Sequence, residues 1–154
     1  MRYARRWAFR RNPEFYNFDE LGGDCTNFVS QCVYAGAGIM NFSQELGWYY
    51  ISPDLRAPSW TSVRFFYEFM TQNEGLGPYG YDAPLEMALP GDVIQLAYRG
   101  EDFSHTLLVV ATGREPAPQN ILLAAHTNDA YRRRLSTYDY SDIRLIHIEA
   151  VRDF

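Results

Sequence analysis

The chain contains no lysine, and all 14 of its basic residues are arginine. It has only two cysteines and three histidines, with no C-x-x-C spacing among them. That excludes a zinc-finger type of site and a disulfide-stapled scaffold, so no metal or cofactor is expected. Long apolar runs are missing too. No stretch approaches the ~20 residues of a membrane span, and the arginine-rich start Met1–Trp7 is not followed by the apolar segment of a signal peptide. The expectation is a soluble chain with no membrane span and no export signal of its own, which would be extracellular only as a domain cut from a larger secreted protein. Low-complexity tracts, linkers and internal repeats are also lacking, which predicts a single domain over residues 1–154; a monomer is expected. With a net charge of −5, nucleic acid is not the expected partner, and the run Arg132-Arg133-Arg134 reads as a solvated turn.

What is present is apolar and aromatic. A hydrophobic content of 47% is enough for one core. The 12 tyrosines, 10 phenylalanines and 3 tryptophans suit either that core or an aromatic-lined groove. The spacing of apolar residues predicts helices over Tyr3–Arg10, from Cys25 to about Gly36, and from Pro58 through Met70. The period then changes. Runs of strand length follow at Val93–Tyr98, Thr106–Ala111, Ile121–Ala125 and Ile143–Val151, separated by turn residues. Helices first and strands later imply an α+β domain with the N-terminal helices packed on an antiparallel sheet.

Cys25 is the most informative residue. Gly22-Gly23 breaks the chain, Asp24 is placed to cap a helix, and Cys25 opens it. There, backbone N–H groups and the macrodipole favour a thiolate. Cys25, Phe28, Val29, Cys32 and Val33 share one helical stripe, so the thiol points toward whatever the helix packs on. Cys32 reads as a buried core residue. On a helix the two sulfurs lie about 10 Å apart along the axis, too far for a disulfide. Both are expected to be thiols.

His105 precedes the strand Thr106–Ala111, and alternation puts it in line with Leu107 and Val109. A helix packed on that face would bring Cys25 to it, forming the cysteine–histidine pair of a thiol hydrolase. Pairing of this strand with the next places His105 within one residue of position 127. By alternation His126 and Asn128 then share a face, and either could orient the imidazole. His147, in the last strand, carries no functional expectation. Trp48, Tyr49, Tyr50 and Trp60 are candidates for the walls of a groove. Cys25 and His105 support an enzyme that attacks a carbonyl, by hydrolysis or by acyl transfer to an amine. A binding module with an aromatic groove is the alternative from another class.

The order Gly-Asp-Cys-Thr-Asn-Phe-Val-Ser-Gln, Pro-Gly-Asp-Val-Ile-Gln, Ser-His-Thr-Leu-Leu-Val-Val, Leu-Leu-Ala-Ala-His-Thr-Asn-Asp resembles the putative amidase domain family. That family is a branch of the NlpC/P60-like, papain-fold cysteine hydrolases. The lead-in Tyr3–Ala8 and Arg11–Tyr16 resembles it as well, so the likeness spans nearly the whole chain. It implies a papain-like α+β fold, with Cys25 as nucleophile, His105 as general base and His126 as the third polar residue. Tyr16 stands where relatives carry a tyrosine upstream of the cysteine, at a different spacing. The resemblance further implies an amide in bacterial cell-wall peptide or muramoyl peptide as substrate, a location outside the cell or in the wall, and no cofactor. Asp24-Cys25-Thr26-Asn27 in place of the wider group's Asp-Cys-Ser-Gly fits the amidase branch.

Overall fold

The computed structural model describes residues 1–154. Helix α1 covers Arg2–Trp7, α2 Cys25–Ala37, α3 Pro58–Thr61 and α4 Val63–Gln72. A small hairpin, β1 (Tyr50–Ser52) and β2 (Leu55–Arg56), lies between α2 and α3. Strands β3 (Gly77–Ala83), β4 (Val93–Ala97), β5 (Phe103–Ala111), β6 (Leu122–Ala125), β7 (Ala130–Arg134) and β8 (Asp142–Arg152) form one sheet in the order β3-β8-β4-β5-β6-β7. Every neighbouring pair in it is antiparallel. The α+β class with helices packed on an antiparallel sheet is therefore observed. No helix is long and apolar enough to cross a membrane.

Alternation along the strands divides the core in two. Val93, Leu108, Val110, Ala124 and Ile146 point to one face and meet Phe28 and Val29 of α2 and Phe66, Phe69 and Met70 of α4. Ile94, Leu96, Leu107, Val109, Leu123, Ala125 and Leu145 point the other way, onto Ala88 and Leu135. The sheet is thus apolar on both faces, and a one-residue slip would exchange the two sets.

Three segments depart from the sequence expectation. The helix expected from Pro58 is two helices: Ser62 turns extended (φ −105°, ψ 128°) and its hydroxyl accepts the Phe65 N–H, so a capping serine restarts the helix. The segment 77–83, where the sequence reading predicts no element, holds two glycines and a proline and is the edge strand β3. An edge tolerates Pro78, and a side chain at Gly80 would run into the carbonyl of His147 across the ladder. The arginine run is not a solvated turn. It forms the opposite edge strand, β7, with Arg132 and Arg134 exposed and Arg133 half-buried.

Candidate active site

Cys25 is the first residue of α2, as expected, and Gly22 and Gly23 reach it with φ of 88° and 98°, which only glycine adopts without strain. A Cβ on Gly23 would also lie 3.2 Å from the Thr127 hydroxyl. The double glycine therefore lets the helix start sit close under the β6–β7 turn. Asp24 occupies the cap position, but its carboxylate makes no capping bond. Instead Oδ1 accepts from the Phe18 N–H (2.8 Å) and Asn27 Nδ2 (2.9 Å), while Oδ2 lies 2.6 Å from His126 Nδ1. The capping role expected for Asp24 is thereby corrected: it ties the loop, the helix and the sheet together.

Cys25 and His105 line the same cavity, of about 340 Å³, together with Gly22, Tyr98, Thr127, Asn128, Arg133 and Tyr138. They reach it by a different route from the one the sequence suggests. Helix α2 packs on the face carrying Thr106, where Thr26 Oγ1 and Thr106 Oγ1 lie 2.9 Å apart. His105, in register with Leu96, stands in the Leu107–Val109 row on the other face. The cysteine and the histidine therefore meet around the end of β5 rather than across a helix–sheet interface. No hydrogen bond joins them; the Cys25 thiol lies 3.8 Å from Thr26 Oγ1.

Burial governs both groups. It pushes the Cys25 thiol up, against hydrogen bonding from the Thr106 and Thr26 backbone and the Thr26 hydroxyl, and nearby Asp24 adds to the rise. The lowering expected from the helix N-terminus is outweighed. The His105 imidazole is pulled down to about 4, first by burial and then by the positive charge of Arg133. Both shifts favour a neutral thiol beside a neutral imidazole. Cys32 is free, as is Cys25, and its apolar surroundings push its thiol far above the ordinary range.

The two candidates for a third polar residue part company. The β5–β6 ladder pairs Leu108 with Ala124, a register that carries forward to His105 opposite Thr127. The strand ends at Ala125, however, and Thr127 and Asn128 take φ of 62° and 58°. This left-handed turn breaks the alternation that would put His126 and Asn128 on one face. Asn128 lines the cavity. His126 is buried beneath α1 and α2: its ring stacks on Phe28 at 4.0 Å between centroids, and Nε2 lies 2.8 Å from the Trp7 carbonyl oxygen. His105 bonds to neither residue.

A model of the family described as "Putative amidase domain" matches residues 1–148. The chain belongs to that family. It is similar to "Uncharacterized protein YhbB" of Bacillus subtilis (strain 168), at 31% identity over 146 residues. The match covers 92% of this chain and 43% of that protein, so the chain spans less than half of the relative's length. No solved structure matches.

The tryptophans do not stand as groove walls. Trp48 and Trp60 are fully buried, donating to Ser30 Oγ (3.1 Å) and Asn27 Oδ1 (3.0 Å), and neither reaches the cavity. Their large apolar rings form the centre of the core against Phe69 and Phe15. The expectation that they hold ligand is corrected. Tyr16 is exposed at the surface, packed edge-on against Phe18, and lies outside the cavity lining. The cavity walls that the sequence left unmarked are Tyr98, Arg133, Tyr138 and Asp139. A sequence signal existed only for Arg133, as the middle of three arginines in an alternating strand.

Proposed function

We propose that this chain is a cysteine-dependent amidase of the NlpC/P60-like, papain-fold type, acting through a thioester acyl-enzyme. The observation that carries the reading is the convergence on one cavity of Cys25, first residue of its helix, and His105, which lies within β5 as its third residue rather than ahead of the strand. As the Cys25 sulfur bonds to the amide carbonyl carbon, the His105 imidazole takes the thiol proton. The carbonyl π pair moves onto oxygen, where the Cys25 backbone N–H stabilises it. Collapse of that intermediate expels the amine, which leaves with the proton from the imidazolium. Water then adds to the thioester, gives its proton to His105 and releases the acid and the thiol. Both groups rest neutral, a weak acid beside a weak base, so the thiol proton moves to His105 only together with formation of the sulfur–carbon bond. Asn128, on the cavity wall, replaces His126 as the candidate for orienting His105. His126 is assigned to holding the helix start.

Family membership supports an amide as the substrate, and bacterial cell-wall peptide or muramoyl peptide is the class to test first. No cofactor enters this chemistry. Alkylation followed by mass spectrometry tests the nucleophile. Cys25 is expected to label before Cys32, and Cys25→Ala to abolish turnover of muramoyl peptides while Cys32→Ala retains most of it. Equal labelling of the two thiols, or activity surviving Cys25→Ala, would remove the proposal.

A further inference from the structure

Arg133 stands on the edge strand β7 and turns into the cavity that holds Cys25 and His105. Its guanidinium is fixed: Nε donates to Thr137 Oγ1 (2.8 Å) and Nη2 to the Thr137 carbonyl (2.9 Å). The same group lies over the Tyr138 ring, its Cζ 3.8 Å from the centroid. These contacts hold one edge of the fork. The remaining N–H groups lie near the Tyr138 hydroxyl, close enough to hold its ionisation down against burial, in a contact too loose for a well-formed hydrogen bond. That hydroxyl is the one buried side-chain polar atom in the molecule without a partner. A buried donor left unpaired costs stability unless something else uses it.

We propose that Arg133, with Tyr138 beneath it, is a carboxylate-recognition element, so that the amide attacked by Cys25 carries a carboxylate close to the scissile carbonyl. This deepens the amidase reading and rests on it. A planar guanidinium held on one side and open on the other offers paired N–H donors to a carboxylate, a geometry that a lysine cannot reproduce. Asp139 lines the same cavity and opposes Arg133 at Tyr98. At His105, however, the charge that registers is that of Arg133. Arg133 lines the same cavity as His105, so it is placed to meet the anionic end of a substrate there. Arg132 and Arg134 flank it on the exposed strand surface and take no part.

Two small reagents of equal reach separate this proposal from the reading beneath it: iodoacetate, which carries a carboxylate, and iodoacetamide, its neutral isostere. The ratio of their rates at Cys25, measured by peptide mass spectrometry and referred to the same ratio for free cysteine, is expected to favour iodoacetate in the wild type. Arg133→Gln should lower that ratio by about tenfold, the scale of one charge-assisted contact. Arg133→Lys should restore part of it and Arg134→Gln should leave it unchanged. Rapid iodoacetamide labelling of Cys25 with no preference for iodoacetate, or a preference that survives Arg133→Gln, would overturn the carboxylate element alone. If neither reagent labels Cys25 ahead of Cys32, the nucleophile reading fails. The element is then judged by thermal shift with N-acetylglycine against its primary amide: stabilisation by the acid alone, lost in Arg133→Gln, upholds it, and equal effects overturn it.

Discussion

A thiol raised by burial and an imidazole lowered by burial form a pair that stays neutral over a wide range around neutral pH. At this scale the structure alters an argument that the sequence makes well. A cysteine at a helix start predicts a stabilised thiolate, but only the folded cavity shows how much water the site has lost. The consequence is a pH dependence for Cys25. Because its ionisation lies above the ordinary thiol range, alkylation by iodoacetamide should rise about tenfold per pH unit from pH 6 and show no plateau before pH 8. A rate already level at pH 6 would mean a preformed thiolate–imidazolium pair.

The start of α2 was legible in its chemistry and illegible in its wiring. Gly22-Gly23-Asp24-Cys25 marks the helix boundary in sequence, and alternation correctly pairs β5 with β6. What one chain cannot reveal is the partner of a polar side chain 102 positions away, and Asp24 bonds His126 at that separation. Strands β3 and β7 were hidden for a related reason. Edge strands admit proline, glycine and consecutive charges because one side of the ladder is unpaired, so their local pattern is that of a loop or turn. Trp48 and Trp60 were misplaced because aromatic residues serve cores and grooves alike. The Asp24–His126 pair joins the helix start to β6 and, through the Trp7 carbonyl, to α1. Both side chains are about 1% exposed, so removing the imidazole leaves Asp24 Oδ2 without a close donor, Arg11 Nε being 3.7 Å away. His126→Ala is therefore expected to lower unfolding free energy by about 3 kcal/mol. A loss below about 1 kcal/mol in urea titration would show that the pair does not anchor the helix.

For the molecule as a whole, the buried histidine at the cavity makes folding and acidity opponents. His105 binds its proton at about 4 in the folded protein, against an ordinary value of 6.5. Between those values the unfolded chain takes up a proton that the folded one refuses, so acidification favours unfolding. The contribution is intact at and above pH 6.5, declines as pH falls below it, and is spent by about pH 4. Its size follows from the shift, about 3 kcal/mol over the full window. Asp19 acts lower on the scale. Burial raises its carboxyl, but the hydrogen bonds and charge of Arg11 outweigh that and hold it below the ordinary 3.8, so its share is lost only under more acidic conditions. His105→Gln removes the titrating ring while keeping a polar side chain of similar reach. The difference in unfolding free energy between wild type and His105→Gln should therefore shift against the wild type by about 3 kcal/mol from pH 7 to pH 4. If the two proteins lose stability in parallel over that range, His105 is not held neutral by burial, and the proton-accepting state assigned to it at rest is wrong.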